Sequence, residues 1–170
     1  MKLWLLDADI LIDFLSRDLL DKLVEKHEIY AASSVIDEVR YFKRNIEKID
    51  ARFRERYVQT GLIKEVSATA EEASCLLNHF TNDFKFTIHA GEIESLAVLI
   101  RQTELIFCTC DAAAIRTLPL LDLTERGISA EKLLRQSGLY KPGLKERHTE
   151  EYFKSNISIG REYKIYNLKS

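Results

Sequence analysis

Short apolar runs alternate with amphipathic stretches along most of this chain, and that alternation sets its fold class. Residues 2–6 read as a buried strand, because an apolar run this short is bounded by a charge rather than continued by helical periodicity. Residues 9–15 and 18–26 read as short helices, 29–31 as a second strand and 62–66 as a third. Between the second and third strands, Val35, Val39, Phe42, Ile46, Ile49, Phe53 and Tyr57 recur at spacings of three and four. This stripe predicts one long amphipathic helix, capped by Ser33 or Ser34 and closed by Gly61. A helix opened by Ser67 is expected to run to about residue 80, and 81–89 is expected to be a loop. Residues 92–102 form a helix apolar on all sides at its centre, hence buried. A fourth strand, 105–110, leads to a helix over 112–118 that Pro119 stops; Ser129 caps a last helix over 130–136.

Strands alternating with helices predict an α/β fold: three layers, α/β/α, around a central parallel sheet of four to five strands. Residues 1–139 hold this pattern. Residues 140–170 are polar, with seven basic and four acidic side chains, and are expected to form a C-terminal arm or a disordered tail.

Four acidic residues stand out against this pattern. Asp7 ends the first apolar run, Leu3-Trp4-Leu5-Leu6-Asp7, and Asp111 follows the fourth, Ile106-Phe107-Cys108-Thr109-Cys110-Asp111. Glu38 falls within the predicted apolar stripe, where a carboxylate needs a partner or a metal. Glu92 and Glu94 both follow Gly91, but two residues on a helix point about 200° apart, so only one can face a shared site. Glu92 shares its direction with Leu96 and Leu99; Glu94 shares its direction with Arg101, on the face expected to look outward. Glu92 is therefore the chosen acid and Glu94 the alternative. Ligands of open parallel sheets bind outside the carboxyl ends of the strands. Acids gathered there repel one another and lose solvation, a conflict that a hard divalent cation, Mg²⁺ or Mn²⁺, resolves. Asp7 and Asp111 also suit helix N-caps, so each position alone is a weak signal.

Composition leaves this picture in place. The 170 residues carry a net charge of −2, which excludes a global basic field for nucleic acid. Charge is uneven, however: residues 1–39 hold nine acidic and four basic side chains, residues 40–57 seven basic and three acidic. Arg40, Lys43 and Arg44, at the start of the basic stretch, are the candidate substrate-binding cations. Three cysteines make no disulfide framework, and Cys108 and Cys110, two apart on a strand, face one way as a packing pair. No apolar run approaches a membrane span, and Asp7 interrupts what a signal peptide would need, so the expected location is the cytoplasm.

The four acids with their surroundings resemble the PIN domain, the nuclease fold of VapC-type toxins and related RNases. Leu5-Leu6-Asp7-Ala8-Asp9-Ile10 is similar to the family's opening, and Ser33-Ser34-Val35-Ile36-Asp37-Glu38 to its second acidic motif. Gly91-Glu92-Ile93-Glu94 is similar to a Gly-Glu-x-Glu branch, and Thr109-Cys110-Asp111 to its Thr-x-Asp motif. The resemblance runs from residue 3 to about 118. It implies metal held by Asp7, Glu38, Glu92 and Asp111, with Asp9, Thr109 and Glu94 supporting them, and cleavage of single-stranded RNA. Candidate partners are that RNA, an antitoxin protein and a second copy of the chain; a membrane is not among them. Two rival readings remain. Asp7-Ala8-Asp9 also satisfies the Asp-x-Asp of haloacid-dehalogenase-type phosphatases, with Asp7 as nucleophile. A catalytically weakened PIN-like scaffold binding RNA or protein is the other.

Overall fold

The computed structural model describes residues 3–85 and 87–167. Of the sequence expectations, Lys2 in the first strand, residue 86 in the 81–89 loop and Lys169 in the tail lie outside them.

Five parallel strands form the central sheet in the order β5-β2-β1-β6-β7: β1 Leu3–Leu6, β2 Glu28–Ala32, β5 Ile63–Val66, β6 Ile106–Cys108 and β7 Gly127–Ile128. Trp4, Leu5 and Leu6 of the central strand are wholly buried, as a strand covered on both faces requires. Side chains alternate across the sheet. Trp4, Leu6, Ile29 and Cys108 enter one core with Leu11 and Phe14 of α1 (Ala8–Ser16) and Leu133 of α8 (Ala130–Gln136). Leu5 and Phe107 enter the other, with Leu96 and Leu99 of α6 (Ala90–Arg101) and Ile115 and Leu118 of α7 (Ala112–Leu120). Helices thus cover both faces, giving the three-layer α/β/α architecture. A short α2 (Leu20–Val24) completes the first crossover.

The largest departure from the predicted pattern lies between β2 and β5. In place of one long helix, α3 is six residues, Ser33–Glu38. A hairpin follows, β3 Tyr41–Arg44 and β4 Glu47–Asp50, and then a single wide π-helical turn, Arg54–Val58. Asn45, at φ 56°, supplies the left-handed residue of the two-residue loop, a conformation Asn tolerates. The apolar stripe still marks the core, since Val35, Val39, Phe42, Phe53 and Tyr57 are all buried together. Ile46 is the misfit: it sits at the hairpin tip, 97% exposed. Phe42 faces Ile49 across the hairpin, and Lys48 sits over the Tyr41 ring, cross-strand pairs that favour two strands over a helix.

Smaller corrections concern element ends. Ala32, not a serine, occupies the α3 N-cap; Ser33 and Ser34 lie inside the first turn. Thr69 rather than Ser67 caps α4 (Ala70–Leu77), closing a capping box with Glu72. The 81–89 loop contains a short helical turn, α5 (Asn82–Lys85). Pro119 does not stop α7 but lies within its last turn, and the helix runs on to Leu120. Ser129 caps α8 as expected, its hydroxyl accepting from the Lys132 N–H.

The last helix is not α8. The segment expected as an arm or tail forms a 3₁₀ turn, Glu146–His148, and the longest helix of the fold, α9 (Glu150–Asn167). Phe153 and Ile157 of α9 are buried in the second core, and Gly160 continues their stripe. A Cβ at Gly160 would collide with the Arg116 carbonyl, so the glycine lets α9 lie against the α7 backbone. Two buried apolar residues and one glycine in eighteen give too faint a periodicity to announce a helix in advance. No helix among the described residues is long and apolar enough to cross a membrane.

Candidate metal centre

The sheet order reverses at β1, which sends one crossover to β2 and lies beside β6 on its other flank. A crevice opens outside the carboxyl ends of such neighbouring strands. Here it measures about 420 Å³ and is lined by Asp7, Ala8, Asp9, Glu38, His89, Glu92 and Asp111. All four acids singled out in the sequence reach it.

Asp7 leaves β1 directly into the crevice and is 5% exposed. Its backbone N–H donates to the Cys108 carbonyl (3.1 Å), extending the β1–β6 ladder by one bond. Its carboxylate caps α1, accepting from the Ala8 N–H at 2.8 Å through Oδ1, while Oδ2 accepts from the Thr109 hydroxyl at 2.7 Å. The same hydroxyl accepts from the Asp111 N–H at 3.1 Å. Thr109, itself buried, therefore ties the acid at the end of β1 to the backbone of the acid beyond β6. Asp111 caps α7, its Oδ1 accepting from the Ala114 N–H at 2.9 Å. Both aspartates are helix caps and crevice acids at once.

Glu92 enters from the first turn of α6 and is also buried. Its Oε2 accepts from the His89 N–H at 2.6 Å, and His89 Nδ1 stands 3.4 Å from the same oxygen. Glu94 does not reach the crevice. It accepts from the Ser34 N–H (2.8 Å), the Ser34 hydroxyl and the Ala68 N–H (3.2 Å). Its face is not the outward one expected: the carboxylate fastens α6 to the start of α3 and to the loop after β5.

Glu38 sits differently from its expected place. It is the exposed last residue of α3, not a buried member of an apolar stripe. Its carboxylate overhangs Gly91, where a Cβ would lie 3.1 Å from Glu38 Oε1. Glycine at 91 thus leaves room for Glu38 at the crevice rim. Asp9 lines the crevice too, but its Oδ2 is held by Arg147 at 2.8 Å, a partner from the C-terminal segment that no sequence pattern announces.

His89 joins the acids, although the sequence pattern does not mark it as a site residue. Ligand atoms of His89, Glu92 and Asp111 lie within 4.8 Å of one another, a spacing that suits one shared cation. Its only sequence signal is its place two residues before Gly91; as the α6 N-cap position it is fixed beside Glu92.

The electrostatics express the crowding. Burial pushes the Asp7 carboxyl up to about 6; its hydrogen bonds to Thr109 and Ala8 offset part of this, and the charges of Asp9 and Asp111 add to it. Burial, followed by the charges of Asp7 and Asp111, pushes Glu92 up to about 7. Among the described residues, no Lys or Arg pairs with Asp7, Glu38, Glu92 or Asp111. Buried carboxylates without a counter-charge fit a hard divalent cation, and their oxygen donors are the kind Mg²⁺ and Mn²⁺ take.

The candidate substrate-binding cations do not share a helix with Glu38. Arg40 follows it on the chain and bonds the Asp37 carbonyl, while Lys43 and Arg44 lie on β3, where Arg44 pairs with Asp18. Farther along, Arg52 pairs with Glu55, Arg54 with Asp37 and Glu65, and Arg56 with Asp21. Much of the basic stretch is therefore engaged in ion pairs of the fold. Cys108 and Cys110 are buried in one core, as packing residues.

No family model matches the chain, no curated protein matches it, and no solved structure matches it.

Proposed function

We propose that the protein is a divalent-metal-dependent ribonuclease of the PIN type, hydrolysing phosphodiesters of single-stranded RNA. The observation that carries the reading is the convergence of Asp7, Glu38, Glu92 and Asp111 on one crevice at the carboxyl ends of β1 and β6. Each of the four stands out in the sequence alone, and they come from four separate segments.

Asp7, Glu92 and Asp111 would hold Mg²⁺ or Mn²⁺, with His89 beside them and Glu38 closing the rim. A bound divalent ion would acidify a water and screen charge developing on the phosphodiester. Thr109 fixes the Asp7 carboxylate by donating to Oδ2, leaving lone pairs on both oxygens directed elsewhere. The α1 and α7 caps hold Asp7 and Asp111 by backbone N–H groups, so neither carboxylate depends on a mobile side chain for its orientation. Glu92, with its proton affinity near neutrality, is the group that exchanges a proton for a cation as pH rises. An antitoxin partner and a cytoplasmic setting belong to this reading as its biological context.

The phosphatase alternative is less well supported by the geometry. A nucleophilic Asp must admit a phosphoryl group to one of its oxygens, whereas Asp7 is 5% exposed. The second Asp of the Asp-x-Asp pattern, Asp9, is bonded to Arg147 here.

The test uses purified protein and an end-labelled single-stranded RNA, with Mg²⁺, Mn²⁺ or a chelator. Cleavage should need the metal and should disappear in Glu92→Gln prepared in parallel. Metal binding without cleavage would leave the scaffold reading standing. Equal cleavage by Glu92→Gln would end the proposal.

A further inference from the structure

The crevice is acidic and its proposed substrate is a polyanion, so a cation must meet the phosphate. Among the described residues, Arg147 is the only Lys or Arg in an ion pair with a residue lining the crevice. It arrives from outside the α/β pattern, on the segment that joins α8 to α9.

That segment is not loosely placed. Asp9 and Asp13 stand four residues apart on α1, and Arg17, its C-cap, follows at the same spacing. Each holds a successive part of the segment. Arg17 donates to the Gly143 carbonyl at 2.5 Å. Asp13, 3% exposed, takes Lys145 at 3.0 Å, stands 3.2 Å from His148 Nδ1, and bonds Arg17 at 2.9 Å. Arg147 lies between Lys145 and His148 in sequence, so the contacts of both with Asp13 hold this stretch against α1, from which the Arg147 side chain reaches Asp9 at the crevice. His148 is wholly buried. Arg147 itself stays 42% exposed at its side chain and makes one hydrogen bond, to Asp9, among the described residues. A guanidinium has five N–H donors in a planar fork matched to phosphate oxygens.

We propose that Arg147 is the phosphate-binding residue of this site, held over the crevice by the Asp13 anchor and parked on Asp9 when RNA is absent. The inference rests on the ribonuclease reading for its substrate class. The guanidinium keeps one N–H on Asp9 and turns the remaining donors to a phosphate of the strand entering the crevice. Asp9 thereby positions the arginine rather than binding metal.

The experiment measures affinity for a fluorescent single-stranded RNA decamer by anisotropy, across a salt series and without divalent metal, so it needs no cleavage. Arg147→Ala should weaken binding roughly tenfold or more, as loss of a charge-assisted hydrogen bond does. It should also flatten the salt dependence by about 0.7 in log–log slope, the share of one phosphate contact on a single strand. Arg147→Lys should restore the slope while recovering only part of the affinity, since a point charge lacks the fork. Mn²⁺ affinity, measured separately by calorimetry, should not fall in either variant. The double variant Lys43→Gln/Arg44→Gln serves as comparison and should change the slope less. Unchanged affinity and slope in Arg147→Ala would overturn the proposal, as would a larger loss in the hairpin double variant. If wild-type protein fails to cleave RNA with any divalent metal, the ribonuclease reading falls, while the anisotropy series still decides whether Arg147 binds phosphate.

Discussion

Replacing Asp7 by Asn should make the metal-free protein more stable, by an amount that depends on pH. The unfolded chain releases the Asp7 proton near the ordinary value of 3.8, and the folded protein holds it up to about 6. The folded state therefore binds more protons between those values, and stability falls as pH rises through the window. That rise is roughly a hundredfold in proton affinity, and each tenfold is worth about 1.36 kcal/mol, so the ionised Asp7 costs the fold at most about 3 kcal/mol. Relaxation and entering water reduce it, so about 2 kcal/mol is the expected gain for Asp7→Asn at about pH 8. Asparagine keeps the geometry: its oxygen still caps α1, and its amide donates to Thr109 Oγ1, which has a lone pair to spare. For a chain of this length that gain raises Tm by about 4–8 °C.

The assay is thermal unfolding of both proteins from about pH 4 to pH 8, with a chelator present. The two curves should approach each other near the acid end, where wild-type Asp7 is protonated as well. They should diverge as pH rises, with Glu92 adding to the divergence because its own elevation derives partly from the Asp7 charge. Saturating Mn²⁺ should reverse the order, since a ligand at a hundredfold excess over its Kd adds about 2.7 kcal/mol to the wild type alone. Parallel pH curves, or a variant less stable than wild type at the alkaline end, would refute the claim that ionised Asp7 destabilises the metal-free fold.

Three further outcomes follow from the same geometry. Glu94→Gln should leave Mn²⁺ affinity unchanged in calorimetry but lower stability by about 1 kcal/mol, because its charge-assisted bonds to Ser34 and Ala68 weaken. Gly91→Ala should weaken Mn²⁺ binding with little change in Tm: the new Cβ displaces the exposed Glu38 carboxylate, and the gain of about 0.5–1 kcal/mol for Ala over Gly in a helix offsets its tight 3.3 Å approach to the buried Val35 Cγ2. Asp13→Asn should lower stability by about 2–3 kcal/mol in chemical denaturation at neutral pH, leaving Lys145, Arg17 and His148 without their shared carboxylate. Burial alone would raise the Asp13 carboxyl, but His148 and Lys145 more than offset this and hold it well below the usual range. Its contribution is thus present above about pH 4 and lost as pH falls below that, the opposite sign to Asp7.

The α/β/α architecture and Asp7, Glu92 and Asp111 were legible because each rests on a local signal; Glu38 was reached through a stripe that proved not to be one helix. Strand-length apolar runs ending in Asp mark β1 and β6, and the buried centre of α6 marks itself. Where the sequence misled, two structures shared one pattern. Residues 35–57 carry spacings of three and four that suit a helix, yet Phe42 and Ile49 can equally meet across a hairpin. Asn45 beside an apolar residue was the available hint of a turn. The C-terminal segment was illegible for a different reason: its contacts are long-range and polar. Arg147 meets Asp9 across 138 residues, and Asn156 of α9 accepts from Arg116 across 40, while only Phe153, Ile157 and Gly160 give α9 an apolar stripe. Yet the spacing of Asp9, Asp13 and Arg17 on one helix face was present in the sequence as an unexplained charged stripe.

That stripe and the crevice acids answer the same problem in opposite ways. Asp13 is buried with cations around it, so its ionised form stabilises the fold. Asp7 is buried with no cation paired to it, so burial first, and the nearby carboxylates second, make its ionised form destabilise the fold. Both belong to the first helix, one as its cap, and both are nearly inaccessible to water. Burial alone therefore does not set whether an ionised carboxylate stabilises the fold; the sign of the surrounding charge contributes as well. By that criterion Glu92, facing Asp7 and Asp111, groups with Asp7, whereas Glu94, satisfied by neutral N–H and O–H donors, groups with neither. The helix-capping roles of Asp7 and Asp111 do not compete with this division. A backbone N–H holds a carboxylate in place but brings no full positive charge, so the repulsion persists and a cation still has something to relieve.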